Sequence, residues 1–75
     1  MKLSGKNVII TGGASGIGHA LAVRFRAEGA AGITVADLQE DKLAEVAREV
    51  GGVAVPCDVS KEADIQNLVA RAEAA

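Results

Sequence analysis

The 75 residues predict an α/β fold: a doubly wound parallel sheet, carried as three strand–helix units and stopping before a fourth strand. Three observations carry this expectation. Three short apolar runs alternate with three stretches whose apolar residues recur at helical spacing, and such alternation implies a parallel sheet with helices on its faces. The first run opens directly into "TGGASGIG", residues 11–18, with four glycines in eight positions. The second and third runs each finish at an aspartate, Asp37 and Asp58.

Taken in order, Asn7–Thr11 is short, β-branched and bounded by Gly5-Lys6 and Gly12-Gly13, which reads as a buried strand. From Ile17 the period changes. Ile17, Ala20, Leu21 and Phe25 fall at i, i+3, i+4 and i+8 and are expected to form the buried face of a helix that stops before Gly29. Ile33–Asp37 is the second strand. Leu43, Val46, Ala47 and Val50 give the second helix, ended by Gly51-Gly52. Val53–Cys57 is the third strand, and Pro56, lacking an N–H, marks an edge strand or a strand end. Ser60 is expected to cap the third helix, with Glu62 and Asp64 in its first turn and Ile65, Leu68, Val69 and Ala72 as its apolar stripe. Right-handed crossovers put the first two helices on one face. In the strand order 3-2-1-4-5-6 the third helix crosses the other. A chain stopping there is expected to be marginal alone, because its first strand keeps an unpaired edge that invites association.

Composition narrows the class. Phe25 is the one aromatic residue, so the core must come from Ala, Val, Leu and Ile. The net charge is −2 with both signs interspersed, unlike the basic footprint of a nucleic-acid binder. The longest apolar run is four residues, Ala20–Val23, far too short to span a membrane. The start "MKLSGKNVII" has no apolar core of a signal peptide, and a single cysteine suits a reducing compartment, so a cytoplasmic location is expected.

Two readings compete for residues 11–18. One is a glycine-rich turn. The other is a phosphate cradle, in which bare backbone approaches a ligand and the following helix offers unpaired N–H groups and the positive end of its dipole. Opening from a strand and entering a helix favours the cradle. Asp37 lies 19 residues beyond Gly18, where a carboxylate can accept hydrogen bonds from adenosine ribose hydroxyls. A 2′-phosphate there would meet like charge, worth roughly 4 kcal/mol at 4 Å before solvent screening. Leu38 supplies no cation to offset it, so NAD is expected rather than NADP. The plainer reading of Asp37 is a solvated strand end assisting the next helix. Asp58 lies on the same C-terminal sheet edge, where open α/β sheets bind ligands. It can receive an adenine amino group while Val59 packs on the ring, or it can cap the third helix beside Ser60.

These motifs resemble the short-chain dehydrogenases/reductases. "TGGASGIG" is similar to their T-G-x-x-x-G-x-G loop, "VADL" to the acidic end of their second strand, and "CDVS" to their adenine-contacting D-V. The resemblance covers the whole chain and implies that residues 1–75 are the N-terminal part of a single NAD-binding Rossmann domain. It implies that Gly12 makes the tight turn beside the adenosine phosphate, and that Ser15, Gly16 and Ile17 meet the pyrophosphate or nicotinamide ribose. Gly18 would let helix approach strand, and Thr11 would brace the loop. It further implies an oxidoreductase that moves a hydride to or from a small-molecule alcohol or carbonyl compound, in a homo-oligomer.

The family's Tyr-x-x-x-Lys pair, its Ser and its N-N-A-G strand have no match, and the chain contains no tyrosine. Catalytic residues are therefore expected elsewhere, and the segment alone is expected to be inactive. A non-catalytic dinucleotide-binding or regulatory module is the alternative. An S-adenosylmethionine transferase is disfavoured because Thr11 stands where such loops carry an acid. His19, with no carboxylate near it in sequence, is expected to be an exposed first-turn residue. Cys57 reads as a small buried strand-end residue, and no spacing suggests a metal site.

Overall fold

A computed structural model of the chain describes residues 5–74. Its elements are β1 (Asn7–Thr11), α1 (Gly16–Ala27), β2 (Gly32–Asp37), α2 (Glu40–Val50), β3 (Val53–Pro56) and α3 (Glu62–Ala74). All six expected elements form. The strands lie in the order β1-β2-β3, every pair parallel, with Val8 opposite Ile33, Ile10 opposite Val35, and Val35 opposite Ala54. This is the 3-2-1 half of the doubly wound order. Pro56 is the last residue of β3, an edge strand, where its missing donor costs nothing.

Alternation along the strands divides the apolar residues between two faces. Ile10, Ile33 and Val35, with Val8 and Ala54 beside them, meet Ala22 and Phe25 of α1 and Leu43, Val46, Ala47 and Val50 of α2. On the opposite face Ala36, Val55 and Cys57 meet Leu68 of α3. The first two helices thus share one face and the third takes the other, as right-handed crossovers require. Of the stripe on α3 only Leu68 is fully buried, while Ile65 and Val69 stay 40% and 42% exposed. Leu43 is the largest fully buried side chain. Leu43→Ala is expected to destabilise the fold by about 2–5 kcal/mol through lost burial and an unfilled cavity, read from the urea unfolding midpoint.

Helix ends follow local chemistry. Gly51 closes α2 in the left-handed conformation (φ 65°), and Gly52 N–H donates to the Ala47 carbonyl at 2.8 Å. Arg26 adds a tie that sequence reasoning did not find. Its Nε donates to Val50 O at 2.7 Å, Nη1 to Ala30 O at 2.7 Å and Nη2 to Gly51 O at 3.2 Å. One guanidinium fork therefore satisfies two carbonyls at the end of α2 and a third in the connection from α1 to β2.

Three expectations are corrected. The inward face of α1 is Gly18, Ala22 and Phe25, whereas Ile17 is 79% exposed and Leu21 is also exposed. Ser60 does not cap α3, which begins at Glu62; its hydroxyl donates to Asp58 instead. His19 is half-buried and does have a carboxylate partner: Nε2 lies 2.7 Å from Glu49 Oε2 on α2, a residue 30 positions away. Among the described residues no helix is long and apolar enough to cross a membrane. The leading residues 1–4, which bear on the signal-peptide expectation, lie outside the described residues.

Candidate functional site

The site is built at the C-terminal edge of the sheet, where the chain leaves each strand. After β1 the backbone turns through Gly12 at φ 69°, a left-handed conformation that a side chain would strain. Gly13 N–H then donates to Ala36 O at 3.0 Å, and Ala14 N–H to Asp37 Oδ2 at 3.0 Å, docking the loop on the end of β2. Ser15 closes the turn. Its N–H and hydroxyl both donate to the Gly12 carbonyl, at 3.0 and 2.7 Å, while its Oγ accepts from Gly18 N–H at 3.0 Å and caps α1.

The four glycines separate by what surrounds them. A Cβ on Gly18 would overlap the carbonyl oxygen of Gly12, and one on Gly13 would lie 2.8 Å from Val35 Cβ. Those two are required by packing, and Gly12 by its dihedral. Gly16 is different: a Cβ there would meet nothing within 4 Å, and its φ is not positive. No described residue offers an acceptor to the N–H of Gly16 or Ile17, the first two of α1. The protein's own packing gives no reason for glycine at position 16.

Asp37 ends β2 with both oxygens engaged: Oδ1 accepts from Gln39 N–H at 3.1 Å and Oδ2 from Ala14 N–H. The Gln39 bond is the main cause of a carboxyl held below its ordinary 3.8. Partial burial opposes the shift, and Ala14 and Leu38 N–H groups add to it. Asp58 Oδ1 accepts from the Ser60 hydroxyl at 2.6 Å and the Ser60 N–H at 2.9 Å, and its own N–H donates to Asp64 Oδ2 at 3.0 Å. The Ser60 hydroxyl, then its N–H, hold the Asp58 carboxyl low, with Lys61 assisting against slight desolvation. Asp58 therefore organises the turn before α3, short of capping that helix, and lies on the same sheet edge as Gly12 and Asp37. Both carboxylates stay charged at neutral pH.

Gly12, Asp37, Leu38, Asp58 and Val59, with Cys57 and Ala36 between them, line one groove of about 160 Å³. Leu38 and Val59, 67% and 58% exposed, form its apolar lips. Five of the nine residues singled out in the sequence thus meet in one place. Ser15, Gly16 and Ile17 stand apart at the start of α1, and Gly18 is buried behind the loop. The Cys57 thiol is buried and pushed up, first by desolvation and then by Asp64 and Asp58, so it is held as a neutral thiol. Among the described residues no group of three His, Cys, Asp or Glu side chains is placed to hold a metal ion.

This loop-and-edge arrangement is shared with known proteins. Residues 6–75 match the short chain dehydrogenase family. The chain belongs to that family. It is 50% identical over 70 residues to tropinone reductase-like 1 of Erythroxylum coca, covering 91% of the chain and 25% of that protein. It is 42% identical over 71 residues to (-)-isopiperitenol/(-)-carveol dehydrogenase, mitochondrial, of Mentha piperita, covering 91% of the chain and 27% of that protein.

Among solved structures it superposes on a short chain dehydrogenase/reductase from Burkholderia phymatum in complex with NAD, with a TM-score of 0.90 and 31% identity over 96% of this chain and 27% of that one. It also superposes on 3-ketoacyl-(acyl-carrier-protein) reductase from Brucella melitensis complexed with NADH, at 0.89 and 38%, covering 95% and 30%. The chain spans about a quarter of the length of the relatives it matches. Its fold is a partial Rossmann fold, and the family resemblance read from "TGGASGIG", "VADL" and "CDVS" holds.

Proposed function

We propose that this segment binds the adenosine and diphosphate end of NAD for an oxidoreductase acting on a small-molecule alcohol or carbonyl compound. The observation that carries the reading is Gly16. It has open space where a Cβ would stand, beside N–H groups that bond to no acceptor among the described residues, at the positive end of a helix dipole. A site that leaves backbone bare to solvent at this point fits a diphosphate. In this reading Gly12 shapes the turn, Ser15, Gly16 and Ile17 face the diphosphate, and Asp37 accepts from the ribose hydroxyls. The adenine lies between Leu38 and Val59, with its amino group on Asp58. The bound dinucleotide supplies the hydride acceptor or donor. The chain's own part is to hold its adenosine half and exclude water from the groove. Two solved structures that this chain resembles hold NAD or NADH, which supports a nicotinamide dinucleotide.

The choice of NAD over NADP rests on Asp37, ionised at neutral pH, with Leu38 rather than a cation beside it. The whole protein is read as a cytoplasmic homo-oligomer with no nucleic-acid or membrane partner. Titrating the full-length protein with NADH, followed by nicotinamide fluorescence, is expected to show saturable binding at least about tenfold tighter than NADPH, a difference of about 1.4 kcal/mol. Equal affinities would remove the NAD assignment. Binding of neither would remove the dinucleotide reading.

A further inference from the structure

We propose that Asp37 is a positioning residue for the glycine loop as well as the ribose acceptor: its Oδ2, 3.0 Å from the Ala14 nitrogen, holds the loop in the shape that receives the diphosphate. The proposal rests on the function proposed above. Three hydrogen bonds of residues 12–18 are internal to the loop. Ser15 N–H to Gly12 O, Ser15 hydroxyl to Gly12 O and Gly18 N–H to Ser15 Oγ fold the turn on itself. Among the described residues two hydrogen bonds fasten it to the sheet. Gly13 N–H to Ala36 O is backbone to backbone and survives any side-chain change. Ala14 N–H to Asp37 Oδ2 does not, because it spans 23 positions and needs an acceptor on the side chain at 37.

Ala14 is buried, 4% exposed, so losing this acceptor costs its N–H a hydrogen bond in a largely shielded place and loosens the loop. The second oxygen is tied as well, since Oδ1 accepts from Gln39 N–H just ahead of α2. The carboxylate therefore joins the phosphate loop to the start of the next helix, and each oxygen keeps a lone pair for a ribose hydroxyl. One consequence separates this from a pure ribose contact. Removing the side chain harms ligands that never touch it, and it does not by itself convert the site to NADPH.

The test compares ADP with 2′,3′-dideoxyadenosine diphosphate, which keeps the diphosphate and lacks both ribose hydroxyls. Each competes with NADH on the full-length protein, in wild type, Asp37→Ala and Asp37→Asn. Asp37→Ala is expected to weaken the dideoxy ligand at least about fivefold. Asp37→Asn is expected to recover at least about half of that loss, because its one amide oxygen can still accept from Ala14 N–H while Gln39 N–H is left without an acceptor. Amide hydrogen exchange without ligand is expected to quicken about tenfold at Ala14 in Asp37→Ala and to stay near wild type in Asp37→Asn. If Asp37→Ala does not fold, Asp37→Ser, whose hydroxyl is too short to span the gap, takes its place. Unchanged dideoxy-ADP affinity together with unchanged exchange at Ala14 would overturn the positioning role while leaving the dinucleotide site intact. Failure of wild type to bind NADH or ADP would instead overturn the underlying function, and the proposal with it.

Discussion

Gly18→Ala is expected to destabilise this protein by about 3 kcal/mol, the reverse of what the same change does in an exposed helix. Alanine normally gains roughly 0.5–1 kcal/mol over glycine inside a helix, because it loses less backbone entropy. At position 18 the added Cβ overlaps the carbonyl oxygen of Gly12 and lies 2.9 Å from the Gly13 Cα. All of these are backbone atoms, so no rotamer change relieves the clash. Overpacking of this kind costs about 1–3 kcal/mol. The Gly12 carbonyl is also the acceptor for both Ser15 donors, so displacing it weakens two hydrogen bonds worth about 1 kcal/mol each. Against a typical total of about 5–15 kcal/mol that loss is large. A urea titration is expected to show a lower midpoint with an unchanged slope, and a shift equivalent to less than about 1 kcal/mol would contradict the packing argument.

Gly16→Val, two residues earlier, is expected to do the opposite: stability within about 0.5 kcal/mol of wild type, with dinucleotide binding weakened tenfold or more. Nothing in the protein lies within 4 Å of the new Cβ, and the backbone there is already helical. The small gain in helix propensity over glycine roughly offsets the stiffness of a branched side chain. What changes is access. A branched side chain at the first position of α1 stands where a diphosphate would approach the Gly16 and Ile17 N–H groups. Isothermal titration with NADH, paired with a thermal melt, separates the two effects. Unaltered affinity would return residues 11–18 to the plain glycine-rich turn that also fits their composition.

Most of the architecture was legible because it depends on local spacing. Strand β1 falls where expected, and β2, α2 and β3 fall within a few residues of their expected ends, because runs of β-branched residues and glycine stops act over four or five positions. The groove was legible too, since a parallel sheet brings the C-terminal ends of its strands to one edge. Knowing the strands therefore places Gly12, Asp37 and Asp58 together. What escaped was rotation and reach. The partners of His19, Arg26 and Ala14 lie 23 to 30 positions away, apart from the Arg26 contact with Ala30, and no local pattern marks them.

The face of α1 shows the division most clearly. From sequence alone, hydrophobicity favoured Ile17, Ala20, Leu21 and Phe25 as the inward side. In the structure Gly18, Ala22 and Phe25 face inward, because only a glycine can sit against the Gly12 carbonyl, and that contact sets the helix's rotation. The sequence by itself determined the order of the elements, the glycine loop and the two carboxylates on one edge, since these follow from local period and from the polarity of a parallel sheet. Tertiary structure decided which side of α1 is buried, which glycines serve packing, and that Asp37 fastens the loop. Those depend on close approach between segments far apart in the chain, where a single Cβ or one N–H outweighs several apolar side chains.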